Sequence, residues 1–351
     1  MKVLSHSIIY DNPLPQLRSR QAAFPFLAQL GDGTVICSYQ IGEAFESVDG
    51  TSYISRSSDN GKTWEGPFQM FDKSWETTPI TDCCKVTALG GNRVVGVGYE
   101  YDRDHPEWPI GNPQTGGLID DRVYITRSED GGKTWSKHEE VPNAWGHHTE
   151  ASAPITVLKN GDWVTPITGF PDWSGKMSSR LCGRLLHSTD EGKTWNDDTV
   201  CMDCVTCYEQ RCCQLENGAI VVIGWNENVK TGERMNNHFT ISYDNGKTFS
   251  KPMDTGIRGQ ASSVCAIGGN KLLALHAYVE NLEKGTWDIE DELLVWEPAT
   301  PVVQDKKAAE IFSFLKFGQP GAIVLQNGHI LMSHWFAEQG QYMTLSSEIE
   351  L

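Results

Sequence analysis

Apolar residues along this chain are grouped in pairs of short runs, and a glycine-containing turn separates the two runs of each pair. The turns read Asp-Gly, Asn-Gly or Gly-Gly-Asn. Such a turn between two apolar or alternating runs is typical of a β-hairpin. The pattern occurs six times, over residues 26–36, 86–95, 155–161, 213–221, 264–273 and 323–331. It predicts an all-β protein built from repeated hairpins.

A second phrase, Ser-x-Asp-x-Gly-x-Thr followed by an aromatic residue, occurs four times between these hairpins. The copies are Ser57–Trp64, Ser128–Trp135, Ser188–Trp195 and Ser242–Phe249. In each copy the Asp carboxylate can accept backbone N–H bonds within a tight turn, and the Gly can take a positive φ. The phrase therefore predicts a second turn at the same place in four of the repeats.

This phrase is similar to the Asp-box of sialidases and their relatives. The resemblance implies a β-propeller, and six hairpin units then imply six four-stranded antiparallel blades. We expect residues 1–351 to form one such domain, with a strand near Val3–Tyr10 completing the last blade beside Met343–Ile349. In that family the box lies on the face away from the active site, so it indicates the scaffold and not the chemistry.

The net charge of −17, without any Lys/Arg-rich run, disfavours nucleic acid and anionic membranes as partners. No apolar run approaches the roughly 18 residues of a membrane-spanning helix. The N-terminal residues show no export signal. We therefore expect a cytoplasmic protein, or an exported one if a leader has been removed. The sequence does not predict an oligomeric state.

Ten cysteines in a chain without a visible export signal are expected to be thiols. The spacing of Cys201, Cys204 and Cys207, followed by Cys212 and Cys213, resembles that of metal ligands. Consecutive side chains on a strand point to opposite faces, so Cys212 and Cys213 cannot both face one ion. We predict buried thiols and no metal site.

In a propeller of this kind, the hairpin and Asp-box turns share one face and the longer loops surround the channel mouth on the other. The start of each innermost strand is expected to aim a side chain into that mouth. These positions are Phe24, Asp82, Ser152, Glu209, Gln260 and Gln319, with Glu150 just before Ser152. Two or three carboxylates at one opening suit glycosidic bond cleavage, where one protonates the leaving oxygen and another acts as nucleophile or base. Each acid has an alternative role in capping a strand end or pairing with arginine.

The segment Tyr208–Gly218 is similar to the sialidase segment whose glutamate activates the catalytic tyrosine, which implies that role for Glu209. Asp49 lies where the family keeps its acid/base aspartate, with Glu43 and Glu46 as competing positions.

The chain departs from the family pattern at three places. The arginine expected after the Glu209 strand is replaced near Trp225, with Arg234 further along the chain. Gln319 stands at the position of the nucleophilic tyrosine, and Ala23 at that of the first arginine. Arg20, Arg211 and Arg258 are the arginines that could rebuild a clamp for a sugar carboxylate.

We predict a glycoside hydrolase that acts on the terminal sugar of a glycan, with acidic sugars among the candidates, and needs no cofactor. One alternative is a non-catalytic carbohydrate-binding propeller. Another is a polysaccharide lyase, for which the pair His147 and His148 together with Tyr208 could supply the histidine and tyrosine. The candidate catalytic residues are Glu209, Asp49, Asp82 and Glu150, and the candidate substrate-binding residues are Arg20, Arg211, Arg258, His147, His148, Gln260, Gln319, Trp225 and Trp335.

Overall fold

The computed structural model describes residues 1–142, 148–177, 182–203, 205–228, 230–283, 285–298 and 316–351. In chain order, the strands of the first half are β1 (Lys2–Tyr10), β2 (Gln21–Gln29), β3 (Val35–Gly42), β4 (Thr51–Ser57), β5 (Glu65–Gln69), β6 (Ile80–Ala88), β7 (Val94–Asp102), β8 (Asp121–Ser128), β9 (Glu139–Glu140), β10 (His148–Glu150), β11 (Thr156–Val157) and β12 (Trp163–Phe170). Those of the second half are β13 (Gly183–Ser188), β14 (Asn196–Met202), β15 (Thr206–Gln214), β16 (Ile220–Glu227), β17 (His238–Ser242), β18 (Met253–Asp254), β19 (Ile257–Ala266), β20 (Leu272–Leu282), β21 (Phe317–Val324), β22 (Ile330–Glu338) and β23 (Gln341–Glu350). A short 3₁₀ helix spans Lys73–Trp75.

The strands form six antiparallel sheets. Blade 1 is β2-β3-β4-β5 and blade 2 is β6-β7-β8-β9. Blade 3 is β10-β12-β13-β14, with β11 also paired to β12, and blade 4 is β15-β16-β17-β18. The closing blade is β21-β22-β23-β1, in which Lys2 lies opposite Glu350. Among the described residues, the remaining sheet contains only β19 and β20.

The fold is an all-β propeller, but the predicted number of blades is wrong. Among the described residues, five sheets have four or more strands and the β19–β20 sheet has two, so the structure shows five blades and not six. The described residues that follow β20, namely 283 and 285–298, form no strand. This segment is rich in acidic residues and lacks an Asp-box, although Leu293 and Val295 pack against the core beside the closing blade.

The core lies between neighbouring sheets. In β3 all eight residues are buried, because sheets cover both faces of that strand. Val35, Cys37 and Tyr39 pack towards the closing blade, whereas Ile36 packs towards blade 2. In the described residues, no helix is both long and apolar enough to cross a bilayer.

The four Asp-box turns share one hydrogen-bond pattern. In the first, Asp59 accepts the backbone N–H groups of Lys62 (3.1 Å) and Thr63 (2.9 Å), and also the Thr63 hydroxyl (2.6 Å). Gly61 has a φ of 83°, and its carbonyl accepts the Trp64 indole N–H at 3.1 Å. Because strand direction alternates within each blade, these turns lie at the end opposite the β3–β4 and β5–β6 loops. The face that carries those loops is the mouth side.

Candidate functional site

Three innermost strands contain the same backbone distortion near the channel mouth. Phe24 on β2, Glu209 on β15 and Gln319 on β21 have φ angles of 60°, 44° and 44°. Each residue lies within a β-bulge, where the pairing register shifts. A left-handed backbone at a non-glycine residue costs on the order of 1 kcal/mol or more, and such residues cluster at functional sites. A bulge also redirects a side chain, which here brings these residues to a shared opening.

The Glu209 carboxylate is held from both sides. Its Oε2 accepts the Trp225 indole N–H at 2.8 Å, and its Oε1 accepts the side-chain amide of Gln319. The Gln319 amide oxygen in turn accepts the Trp335 indole N–H at 3.4 Å. The Trp225 ring stacks on Tyr208 with 4.3 Å between ring centroids. Side chains from blade 4 and the closing blade thus fix the orientation of one partly exposed carboxylate.

A second carboxylate, Glu150 at the end of β10, lies beside the first. Burial raises the pKa of Glu150, and the negative charge of Glu209 raises it further, while the positive charges of Lys85 and Arg211 oppose the shift. The side chains around Glu150 pack so closely that no water molecule fits among them. They are Phe24, Phe26, Lys85, Tyr99, Ser152, Arg211 and Gln319.

The two cations below these acids are almost completely buried. Lys85 is 2% exposed and Arg211 is 4% exposed. The Lys85 ammonium lies 3.6 Å from the centroid of the Tyr99 ring, and burial lowers its pKa. Arg211 donates to the backbone carbonyls of Glu209 (3.1 Å) and Gln210 (3.0 Å), so it supports the bulge that carries Glu209. Sequence reasoning missed Lys85, although a lysine within the apolar inner strand β6 was the available signal.

A tyrosine that sequence reasoning also missed lies on the other side of Glu209. Tyr278 on β20 donates its hydroxyl hydrogen to the side-chain oxygen of Gln260, its cross-strand neighbour. Arg234 donates to the Tyr278 hydroxyl at 3.2 Å and pairs with Glu280. Burial raises the pKa of Tyr278, Arg234 opposes this, and the charge of Glu209 adds to it. The signal available in the sequence was the pairing of Tyr278 with Gln260 across the predicted hairpin.

The structure places Asp82 away from this opening. The residue is fully buried between blades 1 and 2, where its carboxylate pairs with Lys73 at 2.6 Å and accepts the hydroxyls of Thr51 (2.8 Å) and Ser52. Burial raises the pKa of Asp82, but the charge and hydrogen bond of Lys73 outweigh it and lower the pKa overall. Asp82 therefore holds two blades together instead of pointing into the mouth as expected.

Asp49 also lies apart from Glu209, because it belongs to the loop between β3 and β4 of blade 1. The Asp49 carboxylate is exposed and accepts the backbone N–H of Glu43 at 2.9 Å, which closes the segment 43–49. Within that segment the Phe45 ring packs against Phe24, with 5.1 Å between centroids. Glu46 is partly buried, which raises its pKa. Asp49 faces a different cleft, between blades 1 and 2.

The remaining candidates are dispersed. Arg20 donates to the Tyr53 hydroxyl at 3.3 Å in blade 1. His148 Nδ1 lies 2.9 Å from Asp121, and this hydrogen bond raises the pKa of His148. Arg258 lies on β19, and its Nε atom is buried without a hydrogen-bond partner among the described residues. His147 lies outside the described residues.

Within the described part of the chain, one group of side chains has metal-ligand spacing. It comprises Glu76, Glu100 and His138. The Arg122 guanidinium already contacts this group, at 2.8 Å from Glu100 and 3.8 Å from Glu76. The positive charge of Arg122 therefore already neutralises these acids. A site arranged in this way does not suit a metal ion.

The cysteine-rich segment is divided between two parts of the core. Cys201 and Cys207 pack between blades 3 and 4, whereas Cys213 packs towards the β19–β20 sheet. Cys212 lies 3.2 Å from the Thr156 hydroxyl. Cys204 lies outside the described residues.

Comparisons with known proteins agree with this architecture. No curated protein sequence matches the chain. Among solved structures, it is similar to a protein of unknown function from Dyadobacter fermentans, at 17% identity over 100% of this chain and 99% of that one, with a TM-score of 0.73. It is also similar to Hadza microbial sialidase Hz136 (14% identity, 95% of this chain and 66% of that chain, TM-score 0.62). A third similar structure is Trypanosoma rangeli sialidase (13% identity, 94% and 55%, TM-score 0.60), which has also been solved in complex with sialic acid.

The chain thus spans between about half and two thirds of the length of these two sialidases. At such identities the likeness shows a shared fold. The family model of the BNR repeat-like domain matches residues 109–332, which is more than half of the chain. The protein therefore belongs to the BNR repeat-like domain family and is a sialidase-like BNR-repeat β-propeller.

Proposed function

We propose that the protein is a glycoside hydrolase that removes the terminal residue of a glycan, with Glu209 and Glu150 as its catalytic pair. The observation that carries this proposal is that two carboxylates from different blades lie at one opening in unlike environments. Glu209 accepts hydrogen bonds from Trp225 and Gln319, which fix the direction of both carboxylate oxygens. Burial and the neighbouring negative charge raise the pKa of Glu150, which suits a proton donor. Such a difference between two acids divides the roles in glycoside hydrolysis.

In this mechanism the protonated Glu150 gives its proton to the glycosidic oxygen as the bond to the terminal sugar breaks. Glu209 either bonds to the anomeric carbon or takes a proton from the attacking water. Arg211 supports the backbone that carries Glu209, and Trp225 and Gln319 hold its oxygens. This assignment gives Glu150 the proton-donor role that the sequence had favoured for Asp49, because Asp49 faces another cleft.

The surroundings of Glu209 support a glycan as the substrate. Tyr208 and Trp225 form a stacked aromatic pair beside the carboxylate, and aromatic faces bind the C–H side of sugar rings. Arg234 and Tyr278 offer polar groups on the opposite side. The Trypanosoma rangeli sialidase, which shares the fold, binds sialic acid, and this is consistent with a sugar here. An acidic sugar is one candidate for the terminal residue, and neutral sugars are others.

A panel of aryl glycosides (sialosides, arabinosides and uronides) tests the proposal with wild type, Glu209→Gln, Glu150→Gln and the exposed control Glu129→Gln. We expect kcat of Glu209→Gln to fall about 10³-fold, since general acid–base groups contribute roughly 10²–10⁴-fold. The fall in kcat of Glu150→Gln should be smaller with substrates whose leaving group needs no proton than with those whose leaving group does. Unchanged turnover in Glu209→Gln would exclude the mechanism.

The pH profile gives a second measurement. Because the pKa of Glu150 is raised above its ordinary value of 4.5, the protonated donor persists above that pH. Activity should decline as pH rises through the raised pKa, and this alkaline limb should be absent in Glu150→Gln.

One observation favours a second candidate, a non-catalytic carbohydrate-binding propeller. The residues around Glu150 leave no space for a water molecule, so a sugar can reach the acid only if side chains move. In the same panel, such a protein would bind a glycoside without turnover.

A lyase would instead release an unsaturated product that absorbs in the ultraviolet. Its candidate groups His148 and Tyr208 bond to different carboxylates, those of Asp121 and Glu227.

A further inference from the structure

A separate cleft lies on the mouth side between blades 1 and 2. Its volume is about 550 Å³, within the range of roughly 300–1,000 Å³ that is typical of ligand sites. Its walls come from the end of the segment 43–49, from β5 and from the loop that joins β5 to β6. Among the described residues, none of the groups proposed for hydrolysis lines it. The cleft is therefore distinct from the opening at Glu209.

The charges of this cleft do not favour an anionic ligand. Lys73 is the only cation among the described residues that line it, and the three donor hydrogens of its ammonium are engaged by Asp82 (2.6 Å), the Gly50 carbonyl (2.9 Å) and the Ile80 carbonyl (2.9 Å). Glu76 lies 3.8 Å from Arg122. The exposed carboxylate of Asp49 has no cationic partner among the described ion pairs, so the walls carry an excess of negative charge.

The same walls combine hydrogen-bonding groups with apolar surface. Asp49 and Glu76 offer carboxylate oxygens, and Thr77 and Thr78 offer exposed hydroxyls. Pro79 and Val48 add apolar area. A carboxylate can accept hydrogen bonds from two adjacent hydroxyl groups, while apolar side chains contact the C–H groups of a sugar ring. This mixture suits a neutral, hydroxyl-rich ligand.

The segment 43–49 links the cleft to the channel mouth. Phe45 packs on Phe24 at the mouth, and Asp49, four residues later, lines the cleft. An extended chain covers at most about 3.6 Å per residue, so these two residues lie within about 15 Å of each other. The two sites are therefore close enough to contact one oligosaccharide.

We propose that the cleft between blades 1 and 2 is a second carbohydrate-binding site, which binds a neutral saccharide through Asp49 and the hydroxyls of Thr77 and Thr78. Binding there does not depend on hydrolysis at Glu209. The site holds a neutral part of a glycan whose end reaches the channel mouth.

The test measures binding in a Glu209→Gln background, so that turnover cannot remove the ligand. An array of neutral di- to tetrasaccharides ending in galactose, glucose, mannose, xylose or N-acetylglucosamine identifies the best probe, and titration calorimetry then gives its Kd. Thr78→Trp fills the cleft with an indole from an exposed loop position, and Asp49→Asn removes its unpaired charge. Lys62→Trp adds an exposed indole on the Asp-box face as a matched control.

We expect Thr78→Trp to raise the Kd at least tenfold and Asp49→Asn to raise it severalfold, while Lys62→Trp leaves it unchanged. Equal melting temperatures among the variants establish that the fold is intact. The proposal is overturned if no neutral saccharide binds, if Thr78→Trp binds as tightly as its parent, or if only anionic saccharides bind. Because the readout is binding without turnover, these results are independent of whether Glu209 and Glu150 catalyse hydrolysis.

Discussion

The Asp-box turns and the channel mouth use carboxylates in opposite ways. Each boxed aspartate accepts hydrogen bonds from residues three and four positions later, and the bond to the backbone N–H four positions on is 2.9 Å in all four turns. Glu209 at the mouth accepts its hydrogen bonds from side chains 16 and 110 residues away. The hydrogen bonds of an Asp-box form within one short segment and recur with each copy of its sequence. Those at the mouth form only when residues from distant blades pack together. We therefore expect changes at the turns to affect stability and changes at the mouth to affect activity.

The largest expected effect concerns Asp82, an acid that does not follow this division between turn and mouth. It lies near the mouth-side end of an innermost strand, but its contacts are those of a structural ion pair with Lys73. Asp82→Asn removes a fully buried carboxylate and leaves the partly buried Lys73 ammonium without its partner, which costs about 3 kcal/mol of unfolding free energy. Urea unfolding followed by tryptophan fluorescence measures the loss, and activity per folded molecule should be unchanged.

Lys73→Met supplies the matched control for this prediction. The double variant Asp82→Asn/Lys73→Met should lose less unfolding free energy than the two single variants lose in sum, since neither unpaired charge remains. A loss below about 1 kcal/mol in Asp82→Asn, together with a large fall in kcat, would move Asp82 into the catalytic group.

A smaller effect is expected at a boxed aspartate. Slight burial raises the pKa of Asp130, but hydrogen bonds from Thr134 and Ser128 outweigh it and lower the pKa to about 2. Asp130→Ala removes acceptors for two backbone N–H groups and for the hydroxyls of Ser128 and Thr134, at a cost of about 1–2 kcal/mol. The activity of the folded variant should equal that of wild type.

The pH dependence of that loss has a defined sign. A carboxylate whose pKa is lower in the folded state contributes stability that is complete above its unfolded pKa, 3.8, and is lost as pH falls through 2. The difference in stability between wild type and Asp130→Ala should therefore narrow between pH 4 and pH 2. A difference that widens on acidification would contradict the hydrogen-bond explanation.

The smallest expected effect compares two indoles. Trp225→Phe removes the N–H donor to Glu209 but keeps an aromatic ring beside Tyr208, so kcat/KM should fall about tenfold, equivalent to about 1.4 kcal/mol. Trp135→Phe removes a similar indole bond to the Gly132 carbonyl in an Asp-box turn and should leave kcat/KM unchanged. If both substitutions changed kcat/KM equally, the difference between the Asp-box turns and the channel mouth would be wrong.

Much of the scaffold was predictable because its signals are short in range. A glycine turn between apolar runs and a self-contained Asp-box each determine their own geometry within about ten residues. The reduction of the fifth unit to two strands among the described residues was not predictable from the hairpin count, because β19 and β20 have a normal hairpin signal. The acidic segment that follows them differs from the four complete repeats in having no Asp-box.

The site was less predictable because its parts depend on packing between blades. Counting from the glycine turns placed Phe24, Glu209 and Gln319 at corresponding positions, and the structure brings them together in three bulges. The same count also selected Asp82, which points into an interface instead. Lys85 and Tyr278 give no motif in the sequence, because their role near Glu209 comes from contacts with other blades.

The bulges have a consequence for the evolution and engineering of this protein. Glycine tolerates the backbone angles of Phe24 and Gln319 better than either residue does, so substitution by glycine relieves local strain while it deletes a side chain at the mouth. At Gln319, whose side chain bonds Glu209 and not the hydrophobic core, selection for heat resistance alone would favour this replacement and would widen the opening, whereas at Phe24 the lost packing on Phe45 opposes it. A thermostabilised variant of this propeller should therefore be screened for ligand binding at every round.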